Sequence, residues 1–462
     1  RRRHTRCAIK SRGLGDVYKR QQEDTESLDE VVVVAYGTTT KKAFTGTATT
    51  IKSEYIAAKN TANISQALAG EVAGVQVINS SGQPGTVATV RIRGFGSVNG
   101  NRSPLYVVDG VPLSNSLGFN ADTDDGTDTF NPLNSINPED IASITVLKDA
   151  TATAIYGSRG ANGVIVITTL SGKKNSSSIE VDVKTGINVS LLPRHDVIKS
   201  TDDFIQYAWE SVFNQGAIQG NSNPTEFANA NLFGNRGLAP EYNLWTTNSV
   251  SDIINSQTRT VRPTAQRKYS PENWEDFAFQ AAFRTEANLK LSGGGEKSKY
   301  FTSVGYLDDQ GYSLNSDFKR YSARLNLTQD VKPWLKSNVN LGYAYSTQNV
   351  NGQSEDSGSV FFFVDNMPSV YPLFSRDANG NFIPEPIFGG NQYDYGRVRE
   401  FSNTTNAIAD AIYDTQKTDR HDFNANLSLT FDLADGLTLK TQYGLQYNNR
   451  VYNSYSNPFY GN

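Results

Sequence analysis

The chain contains very little cysteine and histidine, and this scarcity limits the chemistry it can perform. Among 462 residues there is one Cys, Cys7, and there are three His, namely His4, His195 and His421. One Cys cannot form an intramolecular disulfide, and three scattered His do not predict a zinc site. No Ser/His/Asp pattern and no phosphate-binding loop supports catalysis. We therefore expect no metal, no cofactor and no enzymatic activity.

Long apolar runs are also missing. The mean hydropathy is −0.48, and no apolar stretch reaches the roughly 18 residues that a transmembrane helix needs. This absence excludes a membrane-spanning helix but not a transmembrane β-barrel, whose strands alternate apolar and polar residues. The chain has 23 Tyr and 23 Phe, and such a content of aromatic residues suits the girdles of a barrel at the membrane interfaces.

The first 21 residues differ in composition from the rest. Residues 1–20 carry eight Lys or Arg and a single Asp. No apolar segment of a secretion signal follows them, and they lack the aromatic residues of a nucleic-acid-binding arm. The stretch SRGLGDVYKRQ at residues 11–21 resembles translated sequencing-adapter sequence. We therefore expect residues 1–21 to be a non-native leader and the native N-terminus, with any export signal, to be missing.

Residues 22–37 form a polar, acidic tether that ends in a valine-rich segment. Its members are Asp29, Glu30, Val31, Val32, Val33, Val34, Ala35, Tyr36 and Gly37. Four consecutive Val strongly favour extended backbone. On composition alone a buried strand is the simpler interpretation, and the alternative is a strand that pairs with another protein at its edge.

Residues 38–172 have the pattern of a compact α+β domain. The predicted strands are residues 75–78, 88–92, 105–108, 144–147 and 163–169. Three residues have the character of helix caps: Asn63 before 64–69, Asn137 before Pro138, and Asp149 before 150–156. Asp109-Gly110 is a typical turn dipeptide. Gly157, Gly160 and Gly163 follow a helix rather than open one, so we interpret them as turns and not as a phosphate loop.

From residue 173 onward the hydrophobic pattern changes to a period of two. Seven alternating runs are predicted as strands: residues 179–184, 287–292, 300–306, 320–327, 338–345, 423–431 and 437–447. The connections alternate in length, with long ones at 191–285, 307–317 and 346–420 and short ones at 293–297, 329–334 and 432–436. A soluble sandwich also alternates polar and apolar residues. The alternation of short and long connections, however, is typical of an outer-membrane barrel.

Three segments carry a family resemblance: DEVVVVAYG at 29–37, VRIRGFGSVNGNRSPLYVVDGVPL at 90–113 and LNSINPEDIASITVLKDATATAIYGSRGANGVIVITT at 133–169. A fourth, LSGGGEKSKYFTSVGYLDDQG, lies at 291–311. With these motifs the chain resembles the SusC/RagA family of TonB-dependent outer-membrane transporters over residues 29–460. The resemblance implies an α+β plug domain at 38–172 followed by an incomplete antiparallel transmembrane β-barrel at 173–462, because plugged barrels have roughly 22 strands.

The resemblance also implies a function and partners. Residues 29–37 would be the TonB box, which binds the TonB energising complex in the periplasm. The protein would lie in the outer membrane of a Gram-negative bacterium, in contact with its lipid, and import an oligosaccharide or a peptide. A SusD-like lipoprotein would assist at the surface, and no nucleic acid would bind. Alternatives are a siderophore- or cobalamin-type receptor, a passive porin, which predicts neither box nor plug, and a surface adhesin or hydrolase.

Two arginines are the candidates for contact between plug and barrel. Arg91 and Arg93 lie two residues apart, hence on one face of a predicted strand. We expect them to pair with carboxylates of the barrel wall and to control how easily the plug moves. Residues that bind the substrate are not identified by the sequence.

Two polar segments and one aromatic segment have competing interpretations. The aspartates 122, 124, 125 and 128 do not match the spacing of a calcium loop, so we expect a solvated loop. Residues 377–381, DANGN, predict a hairpin turn with Asn-Gly at its tip. The aromatic residues Phe361, Phe362, Phe363, Tyr371 and Phe374 either bind sugars or a partner, or form a local core within an extracellular loop.

Overall fold

A computed structural model of the chain describes most of its residues. The described residues are 31–34, 37–40, 47–57, 59, 61, 64–79, 81–86, 88–94, 102–113, 132–191, 196–234, 236–351, 359–399 and 405–460. The proposed leader, Asp29, Glu30, Ala35, Tyr36, the Asn63 cap and the four aspartates between 122 and 128 lie outside them. The first and last residues of the helices and strands given below are those found within the described residues.

The segment from residue 47 to residue 172, called the plug below, contains two sheets. It is preceded by a short hairpin of β1 and β2. The elements in chain order are β1 (Val31–Val34), β2 (Gly37–Thr40), β3 (Ala48–Lys52), α1 (Ser53–Ala57), α2 (Ile64–Ala67), β4 (Val75–Ile78), β5 (Thr89–Ile92), β6 (Leu105–Val108), β7 (Val111–Pro112), β8 (Ile141–Leu147), α3 (Ala150–Thr153) and β9 (Val164–Thr169). The larger plug sheet has the order β3-β8-β9-β6-β7, with β6 and β9 parallel. β4 pairs with β5 in a second sheet.

The plug has an apolar core of its own. Buried residues of α1, α2, β8 and β9 pack together, among them Ile56, Ile64, Ile144 and Ile165. The predicted caps at Asn137 and Asp149 are confirmed, because their side chains accept hydrogen bonds from the amides of Glu139 and Ala152. The α-helix after Asp149 is shorter than predicted, because it ends at Thr153 and residues Ala154–Gly160 continue as a 3₁₀ helix. Gly157 has a φ of 62°, as expected for a residue that ends the helix.

A seven-stranded antiparallel sheet follows the plug and is called the wall below. Each strand pairs with the next one in this order: β10 (Ser176–Asn188), β13 (Ala282–Gly294), β14 (Ser298–Gln310), β15 (Asp317–Lys332), β16 (Leu335–Val350), β17 (Thr415–Ala434) and β18 (Leu437–Tyr455). All seven predicted strands are confirmed. The connection predicted at 307–317 is shorter than expected, because β14 continues to Gln310 and leaves only residues 311–316.

The two faces of the wall differ in polarity. The face toward the plug is largely polar and contains Glu286, Asn288, Lys290, Arg320, Arg324, Asn326, Asp422 and Asn426, all buried or nearly so. The opposite face exposes apolar residues at alternate positions, including Val181, Leu289, Val304, Leu325, Tyr343, Leu427, Tyr443 and Leu445. This arrangement is the one expected for strands that face lipid on one side and a polar lumen on the other.

Aromatic rings border the apolar face at both ends. Tyr345 stacks on His421 at 4.7 Å near one end, and Trp334 stacks on Phe431 at 6.3 Å near the other. On β17 Phe431 lies ten positions after His421, which corresponds to roughly 34 Å along the strand and about 26 Å after a tilt near 40°. That height matches the roughly 25 Å apolar band of outer-membrane barrels.

The two long connections of the wall fold together into a loop region. Its elements are α4 (Thr201–Ile218), α5 (Pro224–Asn231), α6 (Val250–Ile253), β11 (Ile254–Asn255), β12 (Thr260–Val261), α7 (Glu275–Ala278), α8 (Val360–Asn366) and α9 (Ala407–Tyr413). Buried Trp209, Trp245 and Tyr371 belong to one apolar core, and Trp274, Phe363 and Ile408 to another. None of the helices in the described residues is long and apolar enough to span a membrane.

The aromatic segment predicted in this region forms a local core. Phe363 is fully buried, Phe361 lies 5.2 Å from Phe279 between ring centroids, and Phe374 lies 4.8 Å from Tyr393. Of the two interpretations left open, packing within the loop region therefore accounts for these rings.

The predicted turn at residues 377–381 is confirmed. The Gly380 amide donates to the Asp377 carbonyl at 3.0 Å, and Gly380 has a φ of 89°. The Asp377 carboxylate accepts hydrogen bonds from the amides of Asn379 and Asn381, so the polar side chains stabilise the turn itself.

Candidate functional site

The contact between plug and wall is centred on Glu139. This residue lies in the 3₁₀ turn Pro138–Asp140 that Asn137 caps. Its buried carboxylate accepts hydrogen bonds from Lys184 Nζ at 2.5 Å and from Lys290 Nζ at 2.8 Å. Lys290 also donates to Asp182 at 3.1 Å. Two lysines of β10 and β13 therefore hold one carboxylate of the plug.

The ionisation of Glu139 is set by two opposing effects. Burial alone would raise the pKa of this carboxyl group, because it disfavours the charged form. The hydrogen bonds from Lys184 and Lys290, together with their positive charges, outweigh burial and hold the pKa of Glu139 below its usual value. The carboxylate is therefore charged at neutral pH and remains an acceptor for both lysines.

A second ionic contact is formed by Arg324 of β15. Its guanidinium lies 3.4 Å from Asp140 and 3.9 Å from Asp109, measured from nitrogen to carboxylate oxygen. Asp109 begins the turn between β6 and β7, where Asp109 and Gly110 have φ values of 48° and 84°. The predicted Asp-Gly turn is thus confirmed, and it brings a carboxylate to the wall.

Most other polar contacts run from wall side chains to carbonyl oxygens of the plug backbone. Arg320 donates to the carbonyls of Asn134 and Ile136. The remaining donors are Asn326 to Leu170 at 2.6 Å, Asn426 to Asp109 at 2.8 Å, Gln442 to Asp109 at 3.0 Å and Gln348 to Pro84 at 3.1 Å. Each bond satisfies a carbonyl of the plug that would otherwise face the wall.

Two positions show how closely the plug approaches the wall. A Cβ atom at Gly305 would lie 2.5 Å from Asn137 Nδ2 and 2.7 Å from Asn288 Oδ1, two groups that are hydrogen-bonded to each other at 2.7 Å. A Cβ atom at Gly110 would lie 2.9 Å from Gln442 Nε2. A side chain at either position would have to displace these groups while the plug keeps its distance from the wall.

The predicted arginine pair has a different arrangement from the one expected. β5 ends at Ile92, and Arg93 has a φ of 56° outside the strand, so the two residues do not share a strand face. The Arg93 amide donates to the Gly74 carbonyl within the plug. Hydrogen bonds from Ala152 and Thr47 lower the pKa of Asp149, and the charge of Arg93 adds to this effect. Contact of the pair with the wall stays a prediction.

The polarity of the described plug–wall ion pairs is opposite to the expectation. The plug supplies the carboxylates Glu139, Asp140 and Asp109, and the wall supplies the cations. The sequence contained a sign of this arrangement, because Lys290 and Arg324 occupy polar positions of alternating strands. Their partners lie 151 residues away in the case of Lys290 and Glu139, and no local pattern identifies such a pair.

The valine-rich segment is extended, as predicted. Val31–Val34 pairs antiparallel with Gly37–Thr40, with Val34 opposite Gly37 at the turn. One edge of the segment is therefore occupied by the chain itself. Its role as a TonB box stays a prediction. Within the described residues, no group of three or more His, Cys, Asp or Glu side chains is arranged to hold a metal ion.

The plug therefore lies against a polar wall and is held there by hydrogen bonds and ion pairs that water can replace. The face of the wall that it covers carries carboxylates, amides and guanidinium groups, which water can solvate. Displacement of the plug would expose a hydrophilic surface and leave the apolar face on the other side of the wall unchanged.

Comparisons with known proteins agree with this architecture. Residues 40–164 match the sequence profile of the TonB-dependent Receptor Plug Domain family. The chain is 30% identical over 442 residues to TonB-dependent receptor SusC of Bacteroides thetaiotaomicron, covering 92% of this chain and 37% of SusC. It is 28% identical to TonB-dependent receptor P26 of Formosa agariphila, covering 94% of this chain and 36% of that receptor.

Solved structures of known proteins also match the fold of this chain. The RagAB peptide importer in its open-open state superposes with a TM-score of 0.65 at 28% identity, covering 91% of this chain and 42% of that one. The closed-closed state gives a TM-score of 0.64 at 28% identity, covering 88% of this chain and 41% of that one. The chain thus spans well under half the length of these relatives. With its plug and its sheet of antiparallel strands, the chain matches the SusC/RagA-type TonB-dependent receptors over the part of their length that it spans.

Proposed function

We propose that the chain is part of an active importer of nutrients across the outer membrane of a Gram-negative bacterium, powered by the TonB complex. One observation carries this proposal: a plug with its own apolar core is held against a polar wall by hydrogen bonds and ion pairs rather than by a continuous apolar core. Such contacts break and re-form at moderate cost when water replaces each partner. Force on the segment at 29–37 would then displace the plug.

The proposed cargo is an oligosaccharide or a peptide, captured with a SusD-like surface lipoprotein. The relation to SusC and to the RagAB peptide importer supports this choice. The loop region lies where the longer connections of the wall meet, on the side opposite the short turns at residues 295–297, 333–334 and 435–436. A lid protein would therefore dock on the loop region, and the TonB complex would act from the other side.

A proline substitution tests energy coupling in the full-length protein. Val32→Pro removes one backbone N–H from the valine run and prevents it from adding as a strand to a partner. We expect uptake to fail while substrate still binds at the cell surface. The measurement is uptake of labelled substrate by cells, compared with surface binding in the cold.

Thr39→Pro is the matched control. Thr39 lies opposite Val32 in the hairpin, so this variant opens the same pair but leaves the valine run intact. Uptake should persist in Thr39→Pro. Wild-type uptake in Val32→Pro would overturn the proposal.

A further inference from the structure

A cleft of about 390 Å³ opens in the loop region, apart from the contact between plug and wall. Five tyrosines line it: Tyr242, Tyr269, Tyr393, Tyr395 and Tyr460. Tyr395 and Tyr460 stack at 5.8 Å between ring centroids. The volume lies within the roughly 300–1,000 Å³ of ligand sites in proteins, so the cleft can hold a short ligand.

The backbone that frames the cleft is fixed by its own hydrogen bonds. The Ser375 amide donates to Gln392, the Gln392 amide to Ile383, and the Ile383 amide to Ser375, at 2.8–3.1 Å. The three residues are thus linked in a ring, and the amide of each one is already hydrogen-bonded. The amides of these three residues are therefore not available to a peptide that would join as a strand.

A buried carboxylate stabilises the adjoining wall of the cleft. Asp394 accepts hydrogen bonds from the Tyr242 hydroxyl at 3.0 Å and from the Gly396 amide at 3.0 Å, and it lies 3.6 Å from the Arg399 guanidinium. Arg399 is fully buried and donates to the Thr405 carbonyl at 2.7 Å. The tyrosine wall is therefore preorganised, which lowers the entropic cost of binding a ligand.

Three polar side chains at the cleft remain available for a ligand. Glu241, Gln392 and Arg397 line the cleft, and in the part of the chain that the structure describes their side chains make no hydrogen bond or ion pair. Glu241 and Arg397 are exposed, and Gln392 is half-buried. The available charges are one carboxylate and one guanidinium, so the cleft has no net preference for a charged ligand.

We propose that this cleft binds a segment of a neutral oligosaccharide, an inference that rests on the proposed function as a nutrient importer. A sugar ring has an apolar C–H face that packs on a tyrosine ring and a rim of hydroxyl groups that bond to Glu241, Gln392 and Arg397. Tyrosine suits this task because it offers an apolar face with a polar edge. A peptide that binds by strand addition would need free backbone amides, and those of Ser375, Ile383 and Gln392 are already bonded.

Binding is tested with the full chain in detergent micelles. The probes are short α- and β-linked glucans, mannans and xylans, with glycine- and alanine-rich peptides as the competing class, and the readout is isothermal titration calorimetry. We expect at least one saccharide to bind and no peptide to do so. Arg397→Ala should weaken saccharide binding by about tenfold, as for the loss of a hydrogen bond to a charged group.

Tyr207→Ala is the control, because Tyr207 is an exposed residue of α4 that lies outside the cleft. Its affinity for the saccharide should equal that of the wild type. Failure of every saccharide to bind overturns the inference, as does equal affinity of Arg397→Ala and the wild type. Binding of a peptide in place of the saccharides overturns the ligand class.

Uptake by cells separates this inference from the proposed function. In the full-length protein, Arg397→Ala should raise the substrate concentration needed for half-maximal uptake, and Val32→Pro should abolish uptake. If only Val32→Pro has an effect, the cleft is not the binding site and the transport function stands. If Val32→Pro has no effect, the transport function itself fails.

Discussion

Glu139 contributes to the fold as a charged group, and its effect therefore depends on pH. Its pKa is lower in the folded protein than the ordinary value of 4.5. A carboxyl group of this kind stabilises the folded state above its unfolded pKa, and this stabilisation is lost as the pH falls through the folded value. The contact between plug and wall should thus weaken only below about pH 4.5.

Substitution of Glu139 tests this contact. Glu139→Gln leaves Lys290 with its weaker partners Asp182 and Glu180, and we expect a loss of about 1–3 kcal/mol in the free energy of unfolding. The measurement is denaturant unfolding of the full chain in detergent, repeated with Lys290→Met and the double variant. Strictly additive effects in this cycle would contradict a direct interaction.

The carboxyl group of Asp410 in α9 affects stability with the opposite dependence on pH. Burial, followed by the negative charge of Asp414, raises the pKa of Asp410 from 3.8 to about 6. Its protonated form favours the folded state, so its stabilisation is complete below about pH 3.8 and is lost as the pH rises through about 6.

Removing this charge should therefore stabilise the loop region at neutral pH. We expect Asp410→Asn to raise stability at pH 7 by roughly 1 kcal/mol after allowance for solvent screening, and to flatten the dependence between pH 4 and 6. Thermal unfolding at several pH values measures both effects. Asp435→Asn, in an exposed turn, is the control and should change neither. An unchanged pH profile in Asp410→Asn would contradict the assignment.

At the scale of elements, the strands of the wall follow directly from the sequence and the helices of the loop region do not. Alternation of polar and apolar residues has a strong period in β15 and β16, which expose apolar side chains on one face and contact the plug with the other. α4 has a Ser200 cap and two acidic residues in its first turn, yet it lay inside a predicted connection. Its apolar residues pack against segments distant in the chain, and its local pattern is correspondingly weak.

The hairpin of β6 and β7 illustrates a second limit of sequence analysis. Asp109-Gly110 predicts a turn, but no property of the dipeptide indicates that its carbonyl accepts hydrogen bonds from Asn426 and Gln442 more than 300 residues later. The candidate site depends on such distant pairs. Local patterns predicted its parts, and only the fold brought them together.

This hairpin can be tested by substitution at its tip. Gly110→Ala places a side chain at a φ of 84° and within 2.9 Å of Gln442, so we expect a loss of about 1–2 kcal/mol in stability. Gly74→Ala, at a φ of 78° with nothing within 4 Å, isolates the backbone cost. Both variants are compared by thermal unfolding of the full chain, and equal losses would show that contact with the wall adds nothing.

At the scale of the whole molecule, the plug and the wall should respond differently to solvent. The plug has its own apolar core and its own capped turns. We therefore expect residues 38–172 alone to be soluble and to unfold in a single cooperative transition. Size-exclusion chromatography and circular dichroism test this expectation, and a non-cooperative melt would show that the plug needs the wall in order to fold.

The full chain should require detergent. Its wall exposes Ile179, Leu445 and Tyr443 by 73%, 61% and 63% on the face opposite the plug, and such a surface aggregates in water. We expect a dispersed species in micelles and aggregates without them, monitored by light scattering. A monodisperse particle in plain buffer would contradict the assignment of this face to lipid.

The bonds between wall side chains and plug carbonyls have a consequence for sequence variation. Arg320, Asn326, Asn426, Gln442 and Gln348 bind oxygen atoms that every amino acid possesses. The plug can therefore exchange many of its side chains without losing these partners, provided that its backbone path is kept. The wall has no such freedom, because each donor is a particular side chain. Natural drift should therefore accumulate faster at plug residues that contribute only a backbone oxygen, such as Ile136 and Leu170, than at the wall residues that donate to them.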